Sequence, residues 1–154
     1  MDSSEGRSGE PLTLYLVKRL ELVARSLMDA ALREHGLTTV QYTALTVLER
    51  SGELSSAQLA RRSFVTPQSM HDVVSWLQDR GLVQRRRDAE NRRVLLISLT
   101  EAGREAVRAC APAVDALEER MLAAMHHGEQ VVFRECLARG YDALAALAER
   151  APDR

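Results

Sequence analysis

Aromatic side chains are scarce, at 4% of the 154 residues. That is too few to build the ring-lined face on which single-stranded nucleic acid stacks. Cysteine is rarer still: Cys110 and Cys136 are too few and too far apart for a disulfide framework or a zinc site. His126 and His127 point apart if helical, and no cysteine or acidic pair stands at ligand spacing beside them, so no metal site is expected. No apolar run approaches the ~18 residues of a membrane span. The polar opening MDSSEGRSGE lacks the apolar core of a secretory signal, which makes the cytoplasm the expected compartment. A Gly-rich phosphate loop, a nucleophile elbow and a scaffolded pair of catalytic carboxylates are also missing. The chain is therefore expected not to be an enzyme and to need no cofactor.

What is present is concentrated between residues 54 and 100. Ser55 followed by Gln58 is a capping box. It predicts a two-turn helix over 56–63 with Leu59 and Ala60 as its inner face. Phe64 and Val65 make a turn. Thr66 then caps a second helix that begins at Pro67, where a missing N–H is harmless. Met70, Val73, Val74 and Leu77 share one helical face, and Gln68, Ser69, His71, Asp72 and Ser75 lie off it. Gly81 supplies the stop. The period then changes: 82–87 and 94–99 are β-prone, with Leu95, Ile97 and Leu99 on alternate positions, and the polar run DAENRR joins them. Two helices and a charged hairpin in this order form a winged helix–turn–helix. In such a module the second helix enters the major groove and offers its N-terminal residues to base edges.

Charge is distributed to match. Residues 54–100 hold eight arginines (61, 62, 80, 85, 86, 87, 92, 93) and four acids (72, 79, 88, 90), an excess of +4. The residues before and after this stretch are both net acidic, and the whole chain stands at −1. A basic module in a slightly acidic chain suits phosphate binding without general adhesion.

The remainder reads as support. Residues 1–10 are expected to be a disordered arm. A helix is predicted from Pro11 to about residue 35, with Leu12, Leu16, Leu20, Val23, Leu27 and Ala31 near one face and Leu14, Val17 and Leu22 elsewhere. Gly36 ends it. Thr38 and Gln41 form a second capping box, opening a helix to residue 51 with Tyr42, Leu45 and Leu48 inward. Thr100 caps a long helix predicted to reach about residue 126, in which Pro112 should remove a hydrogen bond and introduce a kink. His127–Gly128 is expected to break the chain before a last helix over 129–149. One winged helix rarely needs three flanking helices with this much apolar surface, so they are expected to pair with a second copy. The resulting division is an arm (1–10), an N-terminal dimerisation helix (11–36), the DNA-binding module (37–100), C-terminal dimerisation helices (101–150) and a tail (151–154).

The strings TPQSM, RGLVQRR, DAENRR and ISLTEAG, in this order of elements, resemble the MarR family (multiple antibiotic resistance regulators) over nearly the whole chain. The resemblance implies a mainly α fold with a small β-hairpin wing, in a homodimeric, sequence-specific regulator of transcription. Such a protein, commonly a repressor, binds a palindromic operator in double-stranded DNA and is often released by a small molecule. By role, Gln68, Ser69 and His71 are the candidates for base-edge contacts. Thr66 and Pro67 place free N–H groups at a helix start, a seat for phosphate. Arg85 and Arg86 add charge along the wing strand. The resemblance assigns Arg93 to the minor groove, where arginine suits a narrow, electronegative channel, with Arg92 beside it on phosphate and Asp88 orienting one of the two. Two positions depart from the family pattern: Asn91, where an acid is common, and Asp72, where arginine is common.

Family members often hold an effector between the dimer helices and the winged module, which makes Tyr15, Arg19, Met28 and Trp76 the candidate lining. Oxidant-sensing branches carry a cysteine near the start of the first helix; this chain has leucine and Tyr15 there. Cys110 and Cys136 are expected to be inert core thiols. The rival reading is a winged helix that works through protein contacts without DNA, and Asp72 and the net charge of −1 speak for it.

Overall fold

The computed structural model describes residues 12–148. The expected arm at 1–10, the start of the first helix at Pro11 and the tail at 151–154 lie outside that range. The elements run α1 (Thr13–Arg33), α2 (Thr39–Ser51), β1 (Leu54–Ser55), α3 (Ser56–Arg62), α4 (Pro67–Asp79), β2 (Val83–Arg87), β3 (Leu95–Leu99), α5 (Glu101–Leu122) and α6 (His127–Ala148). They fall into two compact units that divide inside α5, after Val114.

Local chemistry sets the helix starts in the first unit. Gln41 N–H donates to Thr38 Oγ1 at 3.3 Å, and Thr38 N–H donates to Gln41 Oε1 at 2.9 Å. Ser55 and Gln58 repeat the exchange at the head of α3. Asp29 on α1 adds a cap of its own: its carboxylate accepts from Thr39 N–H at 3.0 Å and from the Thr39 hydroxyl at 2.5 Å. Those two bonds hold the Asp29 carboxyl below its usual pKa.

The core is built by Leu32 at the end of α1, by Leu45 and Leu48 of α2, by Leu59 of α3, by Met70, Val74 and Leu77 of α4, and by Ile97 of β3. The predicted face of α4 is therefore the buried one. Strand order is β1-β3-β2, antiparallel throughout. The two-residue β1 was not predicted, because a single apolar residue, Leu54, cannot display alternation. Cys110 is buried in the same core, and loss of water around it pushes its thiol pKa up. The junction to α5 is tight. Thr100 donates its hydroxyl to Gly81 O at 2.6 Å, and its Oγ1 accepts from Gly103 N–H at 3.1 Å.

Apart from Leu32, α1 buries no residue, and Leu14, Leu16, Leu20, Val23 and Leu27 remain exposed on the single chain. In the second unit α6 likewise exposes Val131, Val132, Leu137, Tyr141, Leu144 and Leu147.

Three expectations are corrected here. α5 ends at Leu122 rather than near residue 126, and the connecting turn covers 123–126, so His127 and Gly128 open α6 instead of breaking the chain. Side chains explain the earlier stop. Gln130 donates its amide to Leu122 O and Met125 O, while Glu129 accepts from His126 N–H at 2.8 Å. Both ends of the turn are thereby satisfied, as helix termini require. Pro112 lies inside α5, where its ring nitrogen has no N–H and leaves one hydrogen bond of the helix unmade, as expected. Cys136 is exposed on α6 and does not sit in a core.

Candidate nucleic-acid interface

The N-terminus of α4 is held by Thr66, whose Oγ1 accepts from Ser69 N–H at 3.1 Å and donates to Ser69 Oγ at 3.0 Å. Ser69 is thus partly occupied as a capping partner. Pro67 takes the first helical position. Thr66, Pro67, Gln68, Ser69, His71 and Asp72 are all exposed, on the side of α4 opposite Met70, Val74 and Leu77. The first two turns of the helix therefore present a polar, uncovered surface. A rigid rod buried on one side and bare at its N-terminal end is the shape that major-groove reading needs.

The wing arginines separate by strand alternation. Arg85 lies opposite Ile97, on the sheet face that packs against the core, and reaches Ser75 of α4 at 3.5 Å. Arg86 lies opposite Leu96 on the other face. There its guanidinium grips both carboxylate oxygens of Glu53, with Nε donating to Oε1 at 2.6 Å. This charge-assisted hydrogen bonding lowers the Glu53 pKa and raises that of Arg86. Arg86 is thus tied to a carboxylate on the sheet face away from α4.

At the tip, Asp88 N–H donates to Val94 O and Val94 N–H to Asn91 O, both at 2.9 Å. Asp88 Oδ1 accepts from Glu90 N–H, and Asn91 Oδ1 accepts from Arg93 N–H. Asp88 therefore shapes the backbone, and among the described residues it makes no ion pair with Arg92 or Arg93, contrary to its expected orienting role. Asn91 supplies the same kind of side-chain-to-backbone turn, which explains how a neutral residue serves at that position. Arg87 was not singled out from the sequence. Its Nη1 donates to Arg92 O at 2.9 Å and braces the tip. Arg92 and Arg93 are exposed, and among the described residues neither side chain makes an ion pair or hydrogen bond.

The four suggested effector-lining residues do not gather. Arg19 stacks over Tyr15 at 5.7 Å on the exposed part of α1. Met28 and Trp76 pack partly against the core, and Arg80 covers the Trp76 ring at 4.2 Å. An open cleft of about 500 Å³ lies instead between α1 and the start of α2, lined by Arg25, Asp29, Arg33, Leu37, Thr38, Thr39 and Val40. Among the described residues no group of three or more His, Cys, Asp or Glu side chains is placed to hold a metal ion, and no helix is long and apolar enough to cross a membrane.

Residues 35–94 match the model of the MarR family. The HTH-type transcriptional repressor Rv2887 of Mycobacterium tuberculosis is 37% identical over 81% of this chain and 90% of its own length. Solved structures of Rv2887 are similar as well. Its complex with p-aminosalicylic acid aligns at TM-score 0.71 and 35% identity, covering 84% of this chain and 98% of that one. Its complex with DNA aligns at TM-score 0.69 and 33% identity, with the same two coverages. A MarR family regulator from Silicibacter pomeroyi shares the fold at TM-score 0.81 and 22% identity, covering 88% and 95%. Matched along most of its length by a repressor of this kind, and carrying the winged helix–turn–helix with its small three-stranded sheet, the chain belongs to the MarR family.

Proposed function

We propose that this chain represses transcription as a homodimer in the cytoplasm, binding a palindromic operator through α4 in the major groove and the 88–94 wing tip in the minor groove. The observation that carries the reading is the uncovered N-terminal end of α4 in the same unit as two exposed arginines, 92 and 93, which have no ion pair among the described residues and stand at the end of a braced hairpin. The first supplies base readout through Gln68, Ser69 and His71, with Thr66 and Pro67 seating phosphate. The second supplies charge and minor-groove insertion. Arg85 stands close enough to α4 to join them. The crystallised DNA complex of Rv2887 supports the assignment.

Dimer formation is supported by the apolar residues left exposed on α1 and α6. Large apolar side chains left exposed along a helix mark an interaction site, and two-fold pairing matches an inverted repeat. On this reading residues 37–100 read the DNA, and the helices on either side set the spacing. The effector is a small carboxylated aromatic, as in the p-aminosalicylic acid and salicylic acid complexes of Rv2887. The Tyr15–Arg19 pair offers such a molecule a ring and a cation.

The test is a mobility-shift titration with a palindromic duplex at two salt concentrations, repeated with salicylate. Steeply salt-dependent binding that salicylate reverses is expected. Equal binding to palindromic and random duplexes would remove the operator from the proposal, and insensitivity to salicylate would remove that effector class.

A further inference from the structure

Three helices of the first unit end in one hydrogen-bonding pattern. At the end of α1, Gly36 N–H donates to Arg33 O and Leu37 N–H to Leu32 O. After α4, Gly81 N–H donates to Gln78 O and Leu82 N–H to Leu77 O. After α3, Phe64 N–H donates to Arg61 O and Val65 N–H to Ala60 O. Each is a Schellman motif closed by an apolar pair, and its penultimate residue must take a positive φ. Two of the three use glycine, at φ +69° and +70°. The third uses Phe64, at +58°. A bulky side chain there is an outlier, because its Cβ crowds the carbonyl that follows. Phe64 is also 71% exposed, the highest value among the exposed large hydrophobic residues of the described chain. Phe64 thus sits where glycine would fit better, in the turn between two helices where glycine is common, on an exposed part of the surface.

Strained residues that persist at a binding site point to function. Phe64 precedes the α4 cap Thr66 by two residues, within about 7 Å of chain, and Arg61 at the end of α3 is exposed beside it. We infer that Phe64 is a DNA-contacting residue whose ring packs on the apolar faces of the nucleic acid, deoxyribose or the thymine methyl group, where the backbone flanks the groove that receives α4. Phosphate contacts leave those faces uncovered, and apolar side chains are the groups that meet a thymine methyl. The inference rests on the operator-binding reading above.

Phe64→Gly and Phe64→Asn test it, because both residues accept a positive φ. Removing the strain keeps or raises the thermal midpoint. Operator Kd should nevertheless rise about fivefold in both, as when roughly 20 Å² of ring surface per subunit, about 40 Å² in the dimer, returns to water, and the salt slope should not change, since no charge is lost. Wild-type Kd in both variants would overturn the assignment, as would a loss of affinity accompanied by a lower thermal midpoint. Wild-type protein assayed on the same duplex separates the two claims. If it binds without salt dependence or sequence preference, the operator reading fails and the contact with it; if it binds normally and the variants match it, only the contact fails.

Discussion

Strand register makes a prediction about two arginines that look alike in the sequence. Arg93 is exposed at the wing tip and its side chain has no partner among the described residues, whereas Arg86 holds Glu53 through both carboxylate oxygens on the sheet face away from α4. If one cation per subunit contacts the duplex, a dimer loses two contacts when that residue is neutralised. Each contact contributes about 0.9 to the slope of log K against log salt. Arg93→Ala should therefore flatten the slope by about 1.8. Between 50 and 200 mM salt the wild type would lose roughly 12-fold more affinity than the variant, as follows from that slope. Arg86→Gln should leave the slope unchanged. It removes an ion pair whose two side chains are 51% and 36% exposed, so the urea midpoint should barely move, as for other solvent-screened pairs. Fluorescence anisotropy of a labelled operator at four or more salt concentrations gives both slopes. A flattening of about 1.8 in Arg86→Gln would show that Arg86 leaves Glu53 for phosphate when DNA arrives, and would refute the reasoning from register. A change near 0.9 in Arg93→Ala would mean that one subunit engages the duplex.

Replacing Gln68 by alanine should alter the ranking of operator variants more than overall affinity, since its amide can pair with an adenine edge; an unchanged ranking in competition titrations would reduce it to a surface residue. Gly103→Ala should destabilise the fold by about 2–3 kcal/mol, because the added Cβ would stand 2.1 Å from Leu82 O; urea midpoints read this directly. Asp29→Ala removes the second cap on α2 and should cost about 0.5–2 kcal/mol. The Asp29 pKa is depressed in the folded chain, so its contribution is complete above the ordinary carboxylate range and fades as pH falls through the folded value. The gap between wild type and Asp29→Ala should accordingly be constant from pH 8 to about 5 and narrow below that.

Short-range chemistry made much of this fold legible. The Thr38–Gln41 and Ser55–Gln58 boxes, the Thr66 cap with Pro67, and the core face of α4 all depend on residues within a turn or two of each other, and all stand where the spacing put them. Features that depend on distant partners did not show. Glu53 and Arg86 are 33 residues apart, so no local pattern could reveal that one arginine of the RRR block is occupied. Gly128 suggested a break because glycine so often follows a helix, yet Glu129 and Gln130 move the turn upstream. Asp88 looked like an ion-pair partner but bonds to the backbone two residues on. Tyr15, Arg19, Met28 and Trp76 were grouped from the resemblance alone. The structure divides them between an exposed helix surface and the core margin, because periodicity tells which face a residue occupies and not what packs opposite.

Selection of bound duplexes from a random pool tests the central claim most directly. Enrichment of an inverted repeat with half-sites one helical turn apart, about 10 base pairs or a multiple, is the predicted result. A pool that stays random after repeated rounds, or one that converges on a single unrepeated half-site, would contradict it.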